Sequence, residues 1–144
     1  MTVLRYSQEI GRPAHDVFAV VTDAGTFASW NPTIADSRRL DSGDIANGSS
    51  FEWKLRGFGW VKQHLEEFER DRRVRIVPEM KALEGGHRFL LTDLGGSTQV
   101  DHELEMTPKG IFKLMGPMMK RTGRRNLDAT AAALKRHLEG SSTG

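Results

Sequence analysis

The sequence predicts a single α+β domain, and three observations support this fold class. An N-terminal strand is followed by two short helical stretches. The middle of the chain then contains several runs with strand character, each bounded by turn residues. The last third has the periodicity of a long helix. An antiparallel sheet with a helix at its end accounts for this order of elements.

The first elements are predicted from apolar spacing and from prolines. The run Thr2–Ile10 is rich in strand formers, and Pro13 both ends the strand and favours a helix start. Apolar residues then recur at helical spacing over Ala14–Thr22. Residues 26–30 are expected to form one more helical turn, which Pro32 prevents from continuing.

The middle of the chain is predicted to form strands. In the clearest of them, Phe51, Trp53 and Leu55 alternate with charged residues, so one face is apolar and the other is solvated. Residues 41–48 have the composition of a loop, and Gly85-Gly86 is expected to lie in a turn. The remaining strands are predicted at residues 33–40, 60–70, 73–78, 87–93 and 98–107.

The last predicted strand places a histidine on an apolar face. Val100, His102, Leu104 and Met106 alternate with polar and acidic residues, so His102 must point inward with its apolar neighbours. Neutral imidazole can act as a general base or a metal ligand, but most buried polar groups are simply hydrogen-bonded. We therefore interpret His102 first as a polar group of a cavity wall. No close ligand pair such as HExxH is present, and no metal site is predicted.

Residues 111–139 have a helical pattern with two interruptions, at Gly116-Pro117 and at Gly123. Proline inside a helix removes a hydrogen bond, so we expect a bend or a separate short helix before the long one. The second half carries an apolar stripe suited to packing on a sheet, formed by Leu127, Ala131, Leu134 and Leu138. Residues 140–144 are expected to be a disordered tail.

Composition excludes several functional classes. A chain of 144 residues with 38% hydrophobic content can form one domain, and the lack of cysteine excludes disulfides and thiolate chemistry. No apolar stretch is long enough to span a membrane and no signal peptide is visible, so we expect a cytoplasmic protein without stable membrane insertion. The formal charge of +2 and the interleaved charges predict no nucleic-acid partner.

The order of strand, two short helices, six strands and long helix resembles the START-like, helix-grip superfamily, also called SRPBCC. The segment PAHDVFAVVTD, the stop SWNP, Gly48 at the start of a strand and the helix end LKRHLE carry the resemblance. The resemblance covers residues 1–139, and the superfamily includes the polyketide cyclase/dehydrase and lipid transport families. It implies a curved antiparallel sheet of six to seven strands wrapped around a long C-terminal helix, with an apolar cavity between them.

The resemblance implies binding of a small hydrophobic or amphipathic molecule in that cavity, such as a lipid, polyketide, sterol or quinone-like compound. The sequence contains no phosphate loop, dinucleotide fingerprint or metal-ligand motif, so we expect no cofactor and no metal. We also expect a monomer or weak homodimer. His102 is the expected polar anchor. The wall residues expected on this basis are Trp53, Phe89, His102, Leu104, Met115, Met118 and Met119.

Two features near the second interruption have more than one interpretation. Methionine suits adaptable binding surfaces, so the segment IFKLMGPMMKR is either a mobile gate over the cavity or an ordinary packed helix. The basic run at residues 120–125 could meet an anionic headgroup, a phosphate or an acidic partner. A solvated basic face is the interpretation we favour from sequence.

Two alternatives to non-enzymatic binding or transport remain. The first is an aromatase/cyclase or dehydratase, with His102 as the candidate catalytic base and Arg88, His87 or His64 nearby. This requires a second titratable group within reach of His102. The second alternative is a protein-interaction module that presents its sheet edge or basic helix end to a partner.

Overall fold

The computed structural model describes residues 1–140, which form a curved seven-stranded antiparallel sheet and a long C-terminal helix. The spatial order of the strands is β1-β7-β6-β5-β4-β3-β2, so only β1 pairs with a strand distant in sequence. The predicted fold class is confirmed. The strands are β1 (Thr2–Ile10), β2 (Ile34–Arg39), β3 (Ser50–Leu55), β4 (Gly59–Glu69), β5 (Arg73–Pro78), β6 (Leu83–Asp93) and β7 (Thr98–Pro108).

Two α-helices and two 3₁₀ helices accompany the sheet. Helix α1 spans Ala14–Thr22, and the 3₁₀ helix Ala24–Ser29 follows it as the predicted extra turn. A second 3₁₀ helix, Gly110–Met115, precedes helix α2, Gly116–Gly140. Gly140, the first residue of the tail expected from the sequence, belongs to α2, and residues 141–144 lie outside the described residues.

The inner face of the sheet is apolar and packs against the helices. Along β7 every second side chain is buried, while the acidic residues between them lie on the outer face. The predicted stripe on α2 is almost completely buried: Leu127, Ala131 and Leu134 are 0% exposed and Leu138 is 3% exposed. Burying such side chains stabilises the fold by about 1.5–3 kcal/mol for each large one, so this stripe fixes the C-terminal half of α2 on the sheet.

Gly85 and Gly86 lie inside β6, so the predicted turn at this position is wrong. Their φ angles of 138° and 145° are ones that side chains rarely allow. A Cβ atom would also strike the carbonyl oxygen of Glu105 at Gly85 and that of Ile76 at Gly86. Glycine lets β6 continue along β7 here, whereas its pairing with β5 ends at His87.

The start of α2 explains the Gly116-Pro117 signal. Pro117 lies in the first helical turn, where a backbone N–H would have no intrahelical partner, so proline costs no hydrogen bond there. The 3₁₀ helix Gly110–Met115 confirms the predicted short helix before the long one. Gly123 does not interrupt α2. It is buried, and an added Cβ would lie 2.7 Å from the side chain of Met106, so this glycine brings the helix close to β7.

Candidate ligand-binding cavity

A cavity of about 710 Å³ lies between the inner face of the sheet and the N-terminal half of α2. This volume is in the range of small-molecule sites, which are about 300–1,000 Å³. Most of the wall is apolar and comes from β2, β3, β5, β6, β7 and α2. Its apolar side chains include Ile34, Leu55, Pro78, Met80, Leu83 and Met106.

The sequence-predicted wall residues divide into two groups. Trp53, Leu104, Met115, Met118 and Met119 line the cavity. The other two predicted residues, Phe89 and His102, lie behind the wall, and they are 0% and 1% exposed. Phe89 belongs to the main core cluster, together with side chains of α1 and of the C-terminal half of α2, so the cavity occupies only part of the inner face.

Trp53 is held in place from behind. Its indole N–H donates a hydrogen bond of 2.8 Å to the carbonyl of Ala24, and its ring stacks on Phe27 with 5.0 Å between the centroids. The indole polar group is therefore satisfied within the protein. Trp53 presents apolar ring surface to the cavity, and its centroid lies 6.1 Å from that of His87.

His87 is the polar side chain that separates His102 from the cavity. Strand alternation forces His87 and Arg88 to opposite faces, and Arg88 is held outside by ion pairs with Glu67, Glu103 and Glu105. His87 therefore points inward. Its Nδ1 atom lies 2.9 Å from Nε2 of His102, which is hydrogen-bonding distance.

Both histidines are neutral near pH 7. Loss of solvent on burial lowers the pKa of His87 to about 4. Burial also lowers the pKa of His102 well below its usual value, and the neighbouring His87 adds to the effect. Burial disfavours the charged imidazolium in each case, so the pair is a hydrogen bond between two neutral rings.

The unsatisfied atom of the pair determines the tautomer. Nδ1 of His102 is buried and has no hydrogen-bond partner among the described residues. An orphaned N–H is rarer in proteins than an under-used acceptor, so we assign the His102 proton to Nε2, which donates to Nδ1 of His87. His87 must then carry its own proton on Nε2. That atom makes no hydrogen bond within the described residues and is not among their buried unpartnered atoms, so we infer that it borders the cavity that His87 lines.

Gln63 supplies a second polar group to the wall. The residue is only 3% exposed, and it lies on β4, on the inner face. No hydrogen bond ties its amide to residues 1–140, and the amide is absent from the buried atoms left without a partner, so it borders the cavity. A ligand can therefore meet both a donor and an acceptor at this position.

The cavity rim is closed by polar contacts that are already satisfied. The side-chain amide of Asn31 donates a hydrogen bond of 3.0 Å to the hydroxyl of Thr130. Its carbonyl oxygen accepts one of 3.0 Å from the backbone N–H of Thr33. This joins the loop before β2 to α2. At the same rim, Nε of Arg56 donates 2.7 Å to the carbonyl of Pro32.

Strand alternation in the sequence could have assigned both His87 and Gln63 to the inner face. Phe89 and Leu91 are apolar, and extending their alternation back along β6 puts His87 on the same inner face. His64 lies on the outer face, where Nε2 is 2.7 Å from Glu66, so it takes no part in the cavity. Val61 and Leu65 are likewise apolar and buried, so the alternation of β4 puts Gln63 on the inner face between them.

Within residues 1–140, no three histidine or carboxylate side chains come together as metal ligands. Among the same residues, no helix has the length and apolar character needed to cross a membrane.

Both the sequence and the structure of this chain are similar to those of known proteins. The family model described as "Polyketide cyclase / dehydrase and lipid transport" matches residues 1–139. A START superfamily protein from Mycobacterium smegmatis is similar with a TM-score of 0.80 and 18% identity, over 96% of this chain and 97% of the other. No curated protein sequence matches significantly.

Two enzymes are also similar in structure. The Zhui aromatase/cyclase from Streptomyces sp. R1128 has a TM-score of 0.66 and 13% identity, over 94% of each chain. A point mutant of norcoclaurine synthase from Thalictrum flavum has a TM-score of 0.72 and 15% identity, over 98% of this chain and 96% of the other. At these identities the likeness concerns the fold, not the activity.

Proposed function

This chain belongs to the polyketide cyclase/dehydrase and lipid transport family, and from that premise we propose that it binds a small hydrophobic or amphipathic molecule between the sheet and α2. The observation that carries the proposal is the cavity of about 710 Å³ with a mainly apolar wall. Such a wall favours ligands with an apolar body, since burying apolar surface drives association.

The tautomer of His87 supports a finer proposal about the ligand. A protonated Nε2 on the cavity side is a hydrogen-bond donor, so the ligand should present an acceptor there. A ketone or quinone oxygen on a ring system fits this requirement. Gln63 is the second group that can bind a polar atom of the ligand, and Trp53 supplies a flat apolar surface.

His87→Phe is expected to remove the preference for a carbonyl-bearing ligand. Suitable probes are 2-methyl-1,4-naphthoquinone and 2-methylnaphthalene, which share a ring system and differ in the oxygens. The wild type should prefer the quinone, and His87→Phe should weaken quinone binding by about five- to tenfold, the worth of one neutral hydrogen bond. Binding of the hydrocarbon should stay nearly unchanged. Isothermal titration calorimetry measures both affinities.

His64→Phe is the matched control, because it makes the same substitution on the outer face of the sheet. It should leave both affinities unchanged. Failure of the wild type to bind either probe would contradict the cavity proposal for this ligand class. A quinone preference that survives in His87→Phe would contradict only the role of His87.

An aromatase/cyclase or dehydratase is the second candidate, and the His87–His102 contact of 2.9 Å favours keeping it. It meets the requirement for a second titratable group beside His102. However, a general base works best with a pKa near the working pH, and the pKa of His87 is about 4. Donation of a hydrogen bond to a ligand carbonyl therefore suits this pair better than proton abstraction. Native mass spectrometry would decide: a compound that is retained unchanged supports binding, and one that loses water on incubation supports the enzyme.

A further inference from the structure

The charge of this chain is unevenly distributed. Residues 109–127 contain six of the 21 lysines and arginines and none of the 19 acidic residues. The rest of the chain therefore has a formal charge of −4, although the whole chain is at +2. This basic segment includes the second 3₁₀ helix and the first three turns of α2.

The same segment exposes large apolar side chains to solvent. Ile111 is 80% exposed, Leu114 is 89% exposed and Met118 is 63% exposed. Phe112 and Met115 are also among the exposed large hydrophobic residues. Single exposed apolar residues are ordinary, but a cluster within eight consecutive residues marks an interaction surface.

Most of the basic side chains in the segment form no ion pair within the described residues. Lys109 pairs with Glu84 and Arg124 pairs with Asp128. Among the described residues, by contrast, no carboxylate lies within ion-pair distance of Lys113, Lys120, Arg121 or Arg125. A second cleft, of about 620 Å³, lies between the end of β7 and the start of α2, and both Lys113 and Lys120 line it. Two unpaired ammonium groups on one cleft wall suit an anionic group.

We propose that this segment docks on an anionic lipid bilayer, with Ile111, Leu114 and Met118 entering the interface and the free cations meeting lipid phosphates. We call these three residues together with Lys113, Lys120 and Arg121 the docking surface. Aliphatic side chains beside lysine and arginine are the composition of interfacial segments, and each basic residue near an anionic membrane adds attraction. Lysine is depleted at protein interfaces, so a bilayer fits this surface better than a protein partner.

The position of the docking surface connects it to the ligand cavity. Met115, Met118 and Met119 belong to the cavity wall and lie in the same segment. Docking through Ile111 and Leu114 would therefore hold one wall of the cavity against the bilayer. The acidic remainder of the chain would be repelled by the same membrane, which favours this single orientation.

Co-sedimentation with lipid vesicles tests the proposal on the full chain. The wild type should bind vesicles in which about one third of the phosphatidylcholine is replaced by phosphatidylglycerol, and bind pure phosphatidylcholine vesicles far less. High salt should weaken the binding, because it screens the charges. Ile111→Ser/Leu114→Ser and Lys113→Glu/Lys120→Glu should each weaken it by about tenfold or more.

Matched controls come from the opposite end of the sheet. Leu94, 51% exposed, follows the last residue of β6, roughly 33 Å along the strand from its start near the docking surface. Exposed Arg70 and Arg72 lie in the β4–β5 turn at that same far end, since Arg72 bonds to the backbone of Leu91. Leu94→Ser and Arg70→Glu/Arg72→Glu should keep wild-type vesicle binding.

Three results would overturn the proposal. The first is equal binding to neutral and anionic vesicles, and the second is an equal loss in the control and docking-surface variants. The third is a wild-type dimer in analytical ultracentrifugation that Ile111→Ser/Leu114→Ser dissociates, because a second copy would then cover these side chains. Naphthoquinone affinity measured on the same variants separates the two proposals, since the cavity should still bind this probe when vesicle binding is lost.

Discussion

Gly85→Ala is expected to destabilise the protein by about 3 kcal/mol or more, because two penalties coincide at this position. The φ angle of 138° is unfavourable for any residue with a side chain. In addition, the new Cβ would be forced against the carbonyl oxygen of Glu105 on the neighbouring strand β7. Backbone atoms of a central pair of strands cannot move aside without breaking the hydrogen bonds of the sheet.

Gly95→Ala separates the two penalties. Gly95 has a φ of 101°, and an added Cβ there would meet no atom within 4 Å. Only the backbone strain remains, so we expect a loss of about 1 kcal/mol. Urea unfolding followed by tryptophan fluorescence gives both free energies. Similar losses for the two variants would contradict a steric role for Gly85 beside β7.

The sequence contains enough information to predict which face of a strand is buried. Alternation along β7 placed His102 inward, and the structure has it there, 1% exposed. The strict pattern of β3 likewise identified Trp53 as an inward residue. These predictions succeed because strand geometry alone alternates the side chains, whatever the neighbouring strands do.

The same pattern could not predict depth along the inner face. Trp53 and Phe89 both point inward, yet Trp53 lines the cavity whereas Phe89 is enclosed in the main core with side chains of α1 and α2. That difference depends on where the two helices cross the sheet, which is a tertiary property. The prediction of a turn at Gly85-Gly86 failed for a related reason. A glycine pair is typical of turns, and only the close approach of Glu105 and Ile76 shows why a strand needs it here.

Acid is expected to destabilise this protein through the His87–His102 pair. The pKa of an unfolded histidine is about 6.5 and that of folded His87 is about 4, so between these pH values the unfolded chain binds more protons. The stabilisation is complete above pH 6.5 and is lost as the pH falls towards 4. The pKa of His102 is lowered in the same direction. His87 alone should remove roughly 2 kcal/mol of unfolding free energy between pH 7 and pH 5, and His102 adds a loss of the same sign.

The surroundings of the pair support assigning this loss to the two rings. Trp53, Phe89 and Leu104 lie around them on the inner face. Charged residues that flank the pair in the register of β5, β6 and β7 point outward, among them Arg75, Arg88, Glu103 and Glu105. His87→Leu/His102→Leu removes both hydrogen-bonding partners at once, so neither is left unpaired. The double variant should lose much less stability between pH 7 and pH 5 than the wild type.

Urea unfolding at the two pH values measures this difference, and His15→Leu is the control. The side chain of His15 is 71% exposed on α1 and lies outside the His87–His102 pair, so its removal should not reduce the loss of stability between pH 7 and pH 5. All other titrating groups are common to the three proteins, and their contributions cancel in the comparison. Equal pH dependence in the double variant and the wild type would mean that the imidazole pair can be protonated inside the folded protein. A charged His87 would then face the cavity in acid, and the selection of an uncharged acceptor on the ligand would lose its basis.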